Sequence, residues 1–264
     1  MNQDRRRLIV GSATDYRPHQ LRPFIESLRA SGYAGDVVIM LYFWNVALNS
    51  YLRKFDVRPM PMWSVRRLHG PPATYRYQLY ARIARENRER YDEMMVTDTR
   101  DVVFQRHPFA DLASSACHFY IEHPTLTIGE EPTNLRWAKQ FLPPEQAAEL
   151  SRHRISCNGI VIGGMPAMHD YLNRMAADLA AIPLKVRRLG AADASVHHRL
   201  VFMAGGVNGV VMENNVHVAT MGLESNYLMG DDGVVRSADG HAPAILHQYD
   251  RVPHIKSAID QRYG

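Results

Sequence analysis

The stretch RLIVGSATDYRPHQLRPFIESLRASGYAGDVVIMLYFW, residues 7–44, decides the fold. It opens on a short apolar run, RLIVGSA, bounded by small and polar residues, which reads as a buried strand entering a loop. Pro18 and Pro23 lie in the segment that follows, where Phe24, Ile25 and Leu28 share a helical face and Gly32 supplies a stop. DVVIMLYFW is a second continuous apolar run, hence a second buried strand. Strand, helix and strand within so few residues form a βαβ unit, which implies parallel strands with covering helices.

The pattern continues outward. KFDVRPMPMW reads as a short strand ended by its prolines. GPPATYRYQLYARIARENRERY becomes helical from about Thr74, with Tyr77, Tyr80, Ala81 and Ala84 on one face. DEMMVTDTRDVVFQRHPF then reads as a strand broken by acidic residues. Another α-to-β crossover therefore brings Asp98 to the C-terminal end of a sheet strand, where open α/β sheets bind their ligands. A charge taken out of water must be paired or bound to a metal. Asp98 and Asp101 are thus either the carboxylates of a surface turn or part of a site, and the location favours a site. The second half is less regular: HFYIEH and SCNGIVIGG read as strands, PAMHDYLNRMAADLAAI and DASVHHRLVF as helices, NNVHVATM and APAILHQY as short strands. No linker, repeat or low-complexity segment divides the 264 residues, so one α/β domain over 1–264 is expected.

A formal charge of +4 suits anionic ligands such as phosphates. The basic residues are scattered and leave no nucleic-acid footprint; the densest cluster, DRRRL at residues 4–8, reads as a solvated end. Two cysteines, Cys117 and Cys157, argue for a reducing compartment. With no signal-like segment and no run of about 18 apolar residues, the expected location is cytoplasmic without a membrane span.

The order of these motifs resembles the GT-A-fold nucleotide-sugar glycosyltransferases, in particular the family of glycogenin and the bacterial lipopolysaccharide galactosyl- and glucosyltransferases. The likeness covers most of the chain as spaced short motifs. It implies a GT-A, Rossmann-like fold and, as substrates, a nucleoside diphosphate sugar (a UDP-sugar first) and a glycan or glycolipid acceptor, with peripheral contact at the inner face of a membrane compatible with such an acceptor. ATDY stands where the family holds base and ribose, making Ala13, Thr14, Asp15 and Tyr16 candidates. YARI is similar to the family's YARL, so Arg82 is a candidate to face the donor diphosphate or to orient Asp98 or Asp101. TDTRD stands at the family's DxD motif, whose carboxylates hold Mn²⁺ or Mg²⁺; such hard cations choose oxygen ligands. Aligned on RDVVF, Asp101 takes the last acidic place and Thr99 the first. SCNGIVIGG resembles FNAGVLL, where Asn158 would bond a sugar hydroxyl and Gly159 leave room for the ring. GAADASVHHRLVF resembles the stretch carrying the family's DQD pattern, matched by Asp193 but without the glutamine. ILHQYD resembles H-x-x-G-x-x-K-P-W, making His247 a metal ligand; the lysine is absent, and Arg251 or Lys256 is left for its role.

The resemblance implies transfer with retention of anomeric configuration, the departing phosphate taking the acceptor's proton; for inversion, Asp193 is the candidate base. The rival enzyme is a sugar-nucleotide nucleotidyltransferase, disfavoured because GSATDYRPHQ has one glycine and no lysine. The rival without chemistry is a nucleotide- or sugar-binding domain, supported by the DxxD spacing. Because strand side chains alternate faces, that spacing separates the carboxylates unless the backbone turns sharply at Thr99–Arg100. An extended strand with Asp98 paired to Arg82 would instead make Asp98 structural.

Overall fold

The computed structural model describes residues 6–43, 45–62, 70–113, 115–203, 205–224 and 226–264; the first two positions of the basic cluster at residues 4–8 fall outside them. The chain is α/β. Strand β1 (Arg7–Ala13) leads through helix α1 (Pro18–Ala30) to β2 (Asp36–Leu41), then through α2 (Val46–Arg53) to β3 (Val57–Pro61). Helix α3 (Pro72–Glu86) returns the chain to β4 (Glu93–Thr97). The remaining central strands are β6 (Cys117–Tyr120), β7 (Ile160–Gly164) and β8 (Gly209–Met212). Seven strands lie in the order β3-β2-β1-β4-β7-β6-β8. Only β7 is reversed: it is antiparallel to β4 and β6, and the other pairings are parallel.

Alternation along the strands assigns the two faces. Leu8, Val10, Met94 and Val96 pack with α3, with α6 (Met165–Ala181) and with α8 (Ala192–Phe202). Ile9, Val37, Ile39 and Met95 pack with α1 and α2 on the other side. These strands bury both faces, which is why they read as continuous apolar runs rather than alternating ones. On the α1 side a smaller sheet, β5-β12-β9, is built from Val102–Phe104, Ile245–His247 and Val218–Thr220. A hairpin of β10 (Tyr227–Met229) and β11 (Val235–Ser237) and the last helix, α9 (Pro253–Tyr263), complete this side. Helices α4 (Pro132–Phe141) and α5 (Pro144–Leu150) precede β7 and pack against α8, and the single turn α7 (Leu184–Arg187) lies between α6 and α8 in the chain. None of the described helices is long and apolar enough to cross a membrane.

The sheet order creates a switch point. From β1 the chain winds outward to β3, then returns to place β4 on the opposite flank of β1. The crevice beyond the C-terminal ends of β1 and β4 is where such sheets bind ligands. The expected strands are present but shorter than their apolar runs: β2 stops at Leu41, and β7 begins at Ile160, after the glycine. Helices α2, α4 and α5 and strands β8, β10 and β11 lie in segments whose letters carry no strong periodicity.

Candidate active site

The acidic segment is the connection between two sheets. β4 ends at Thr97 in the large sheet, and β5 begins at Val102 in the small one. The backbone bends at residues 99–101, as the DxxD spacing requires. Thr99 pins the bend: it is buried, and its Oγ1 donates to Ser12 O at 2.8 Å. Its methyl lies where a Cβ on Gly11 would stand, 2.3 Å from Cγ2, so β1 needs glycine there. On the other side, Gln248 N donates to Asp101 O at 2.8 Å and ties the bend to the end of β12. Gln248 adopts left-handed backbone, φ +57°, to turn the chain away after His247.

The bend brings both carboxylates to His247. One ligand atom from each of Asp98, Asp101 and His247 lies within 4.8 Å of the others. Two ligands bound at about 2.1 Å each stand at most about 4.2 Å apart, so the three must draw in by roughly half an ångström around one ion. Asp98 divides its oxygens: Oδ1 accepts from Arg76 Nη1, while Oδ2 lies 3.6 Å from His247 Nε2. His247 is buried, and its Nε2 has no hydrogen-bond partner. Its Nδ1 lies 3.2 Å from Cys157 Sγ, which leaves Nε2 as the free nitrogen facing the carboxylates. Gly159 forms the floor: a Cβ there would stand 2.7 Å from His247 Cε1 and 2.8 Å from Asp98 Oδ2. Two carboxylates, one unpartnered imidazole nitrogen and a glycine floor fit a divalent cation of the Mn²⁺ or Mg²⁺ type.

Charge tells the same story. Burial alone would raise the Asp98 pKa, but Arg76 and His247 outweigh it and hold the carboxyl well below the usual carboxylate range. Asp101 is pushed up by burial and by its neighbours Asp98 and Asp250, against the pull of His247 and Arg100. Burial opposes protonation of His247, yet Cys157, Asp98 and Asp101 raise its pKa well above the ordinary imidazole value. The pocket therefore draws positive charge. Arg100 meets part of that demand from outside, with Nη2 3.6 Å from Asp101 and Nη1 3.0 Å from Asp250.

A second pair stands beside the first. Asn158 Nδ2 donates to Asp193 Oδ2 at 2.9 Å, and Arg76 Nη2 lies 3.5 Å from the same oxygen. Asp193 lies in the first turn of α8, but the N-cap is Ala191, so it is not a capping residue. Its Oδ1 has no partner, and burial raises its pKa despite Arg76. Arg76 thus stands between Asp98 and Asp193, itself buried, with Tyr77 under its guanidinium at 5.4 Å.

Two cavities meet at Arg76 and Asp98. The smaller, about 260 Å³, is lined by Ser12, Thr14, Tyr16, Arg100 and Asp101. The larger, about 460 Å³, is lined by Asn158, Asp193, Trp137, Glu122, Gln248 and Arg251 among others. Thr14 and Tyr16 therefore line the site; Ala13 is buried as the last residue of β1, and Asp15, exposed with φ +57°, lines neither cavity. Asp15, Asp98 and Asn158 do share one edge of the sheet, since Thr97 pairs with Ile160 of the reversed β7.

Two expected positions fall elsewhere. Arg82 is half exposed and faces Glu86 one turn on at 3.6 Å. It lies six residues from Arg76, about 240° around the helix, so α3 turns it to solvent and presents Arg76 instead. Lys256 pairs with Asp260 and lines neither cavity; Arg251, though largely exposed, borders the larger one. The residues that sequence reading missed are Arg76, Cys157, Glu122 and Trp137. Arg76 was within reach, because it sits at i, i+4 from Tyr80 on the buried face. Cys157 adjoins Asn158 but carries no signal of its own. No known family model matches the chain, and no curated protein matches it significantly.

Proposed function

We propose that the protein is a glycosyltransferase of GT-A type that moves a sugar from a nucleoside diphosphate sugar to a hydroxyl acceptor, assisted by a divalent cation. The observation that carries this reading is the cluster of Asp98, Asp101 and His247 at the switch point of the sheet, set between two cavities that meet at Asp98. The order of sequence motifs supports it, because Thr14, Tyr16, Asp98, Asp101, Asn158, Asp193 and His247 gather at this edge, although Arg82 and Lys256 do not.

Asp98, Asp101 and His247 would hold Mn²⁺ or Mg²⁺, which when bound neutralises charge on a diphosphate as a Lewis acid. The smaller cavity suits the nucleotide: Tyr16 offers a ring, and Ser12 and Thr14 offer polar groups. Arg251 at the rim of the larger cavity adds positive charge where the leaving group becomes negative. Asn158 fixes Asp193, whose free Oδ1 accepts a hydrogen bond from a sugar hydroxyl. In the transfer, the bond between the anomeric carbon and the phosphate oxygen breaks, and its electron pair stays with the phosphate. The acceptor oxygen bonds to that carbon, and its proton passes to the departing phosphate or, for an inverting reaction, to Asp193.

The test is a thermal-stabilisation screen of nucleoside diphosphate sugars with and without Mn²⁺. A ligand at a hundred times its Kd stabilises by about 2.7 kcal/mol. Stabilisation that needs Mn²⁺ and disappears in Asp101→Asn is the expected result, with slow donor hydrolysis alongside. A screen in which no nucleotide sugar stabilises, or in which Mn²⁺ makes no difference, removes the reading. Turnover only of a nucleoside triphosphate with a sugar phosphate would identify a nucleotidyltransferase instead.

A further inference from the structure

The two edges of the central sheet are built differently. At one edge, β3 carries Arg58, Pro59 and Pro61. Prolines and charges are the usual means by which an exposed edge is kept from pairing with another chain. At the other edge, β8 has neither. Residues 205–212, GGVNGVVM, contain no charge and no proline. Val210 and Val211 are 46% and 39% exposed, one on each face of the strand. The first charge beyond the strand, Glu213, is held by Arg154 through two bonds at 2.5 and 2.7 Å, which neutralises it.

The outward backbone is also unpaired in a regular way. β8 runs parallel to β6, with Cys117 opposite Gly209 and Tyr120 opposite Met212. Cys117 N donates to Asn208 O and Ile121 N to Met212 O. In a parallel ladder, alternate residues of a strand turn both backbone groups to the same neighbour. Asn208, Val210 and Met212 therefore face β6, and Gly209 and Val211 present N–H and C=O outward.

We propose that this edge is an interface with a second copy of the chain, formed by antiparallel pairing of the two β8 strands about a twofold axis at Val210. The edge is self-complementary in that register. Gly209 and Val211 of one copy meet Val211 and Gly209 of the other, and each facing pair exchanges both of its hydrogen bonds. The two Val210 side chains meet at the axis on one face. On the other face each Val211 stands across from Gly209, whose side-chain position is filled by the Phe119 ring, so Val211 has an apolar surface to pack on. An isologous contact of this kind closes on itself, so it ends at a dimer. The pairing joins two sheets of seven strands into one continuous sheet, and it lies away from the carboxylate cluster.

Light scattering and sedimentation over a wide concentration range test this on the full chain. The wild-type chain is expected to sediment as a dimer that dissociates on dilution. Val211→Pro removes an outward N–H while sparing every bond to β6, and Val210→Lys places like charges together at the axis. Both are expected to be monomers with unchanged circular dichroism and unchanged Mn²⁺ binding. A wild-type chain that stays monomeric at every concentration overturns the proposal. A dimer that survives in either folded variant also overturns it, since the contact would then lie elsewhere. Because the readout is mass, the outcome does not depend on what the site catalyses.

Discussion

Gly159→Ala adds one methyl group at the point where Asp98 and His247 converge. The backbone of Gly159 has ordinary φ, so alanine meets no backbone penalty. The Asp98 N–H bond to Gly159 O, 2.7 Å, is also preserved. What changes is space. The new Cβ would stand 2.7 Å from His247 Cε1, 2.8 Å from its Nε2 and 2.8 Å from Asp98 Oδ2. Ordinary contacts of this type begin near 3.4 Å, so both side chains must retreat by about 0.6 Å. At 3.6 Å, Asp98 Oδ2 and His247 Nε2 already stand within the span of about 4.2 Å that one ion bridges, and this retreat takes them out of it. Overpacking of this kind costs about 1–3 kcal/mol, which for a chain of this size lowers Tm by roughly 2–12 °C at about 2–4 °C per kcal/mol. The effect on the ion is larger in kind: disturbance of a ligand shell commonly costs about 10–100-fold in affinity. Titration with Mn²⁺ followed by electron paramagnetic resonance, beside a melting curve, measures both. Mn²⁺ affinity unchanged in a folded Gly159→Ala protein would refute the assignment of Asp98 and His247 to one ion.

Three further outcomes follow from the same geometry. Arg76→Ala should destabilise the fold and abolish nucleotide-sugar turnover, because it strands Asp98 and Asp193; removing one partner of a buried pair costs about 3–5 kcal/mol, and less here since Asp98 is a third exposed. Arg82→Ala should stay within about 0.5 kcal/mol of wild type, so urea unfolding of the two variants separates the arginine that lines the site from the one that does not. Cys157→Ala leaves His247 Nδ1 without a partner and should weaken Mn²⁺ binding about 10–100-fold, while Cys157→Ser, which keeps a hydrogen-bonding atom, should lose much less; equal loss in both would mean that the sulfur only fills space. Stability should also fall on acidification between about pH 6.5 and pH 4. Burial lowers the pKa of His198 and of His217 to about 4, so both are neutral when folded and take up protons when unfolded. Their contribution is complete above pH 6.5 and is lost as pH falls through the folded value, on the order of 3 kcal/mol each at about 1.36 kcal/mol per unit. His217→Gln, which can still donate to Pro108 O, should flatten this slope in urea unfolding at a series of pH values; an identical slope would show that other groups set it.

The parts of the molecule that could be read from the letters are those where one physical demand dominates. Residues 7–41 had to be strand, helix and strand because two continuous apolar runs leave no polar face to expose, and the segment between them gathers Phe24, Ile25 and Leu28 on one face. The spacing of Asp98 and Asp101 required a bend, and the bend is there. His247 was reachable only through the order of motifs, since thirteen histidines give no local reason to choose it. The arginine was misassigned for a definite reason. The letters around Arg82 match a motif, but the helix phase set by Tyr77, Tyr80 and Ala84 points Arg76 inward. Trp137 and Glu122 could not be found, because they reach the cavity from segments that pack against it only in three dimensions. The strand β8 was equally silent: its four residues have no length in which a period can show.

The break between Thr97 and Val102 has a mechanical consequence. Asp98 is anchored to the large sheet through Gly159, whereas Asp101 and His247 belong to the small sheet through Gln248 and β12. Any ion shared by the three is a bolt through two separate plates. Without it, the plates are held by the core they share, in which Val102, Phe104, Val218 and Ile245 pack with Ile9, Met95, Ile160 and Ile162, and by the contact of Cys157 Sγ with His247 Nδ1, and the small sheet breathes against the large one as far as those contacts allow. With it, breathing must stop, and the amides of β5, β9 and β12 should exchange with deuterated solvent more slowly while those at the far side of the large sheet stay as they were.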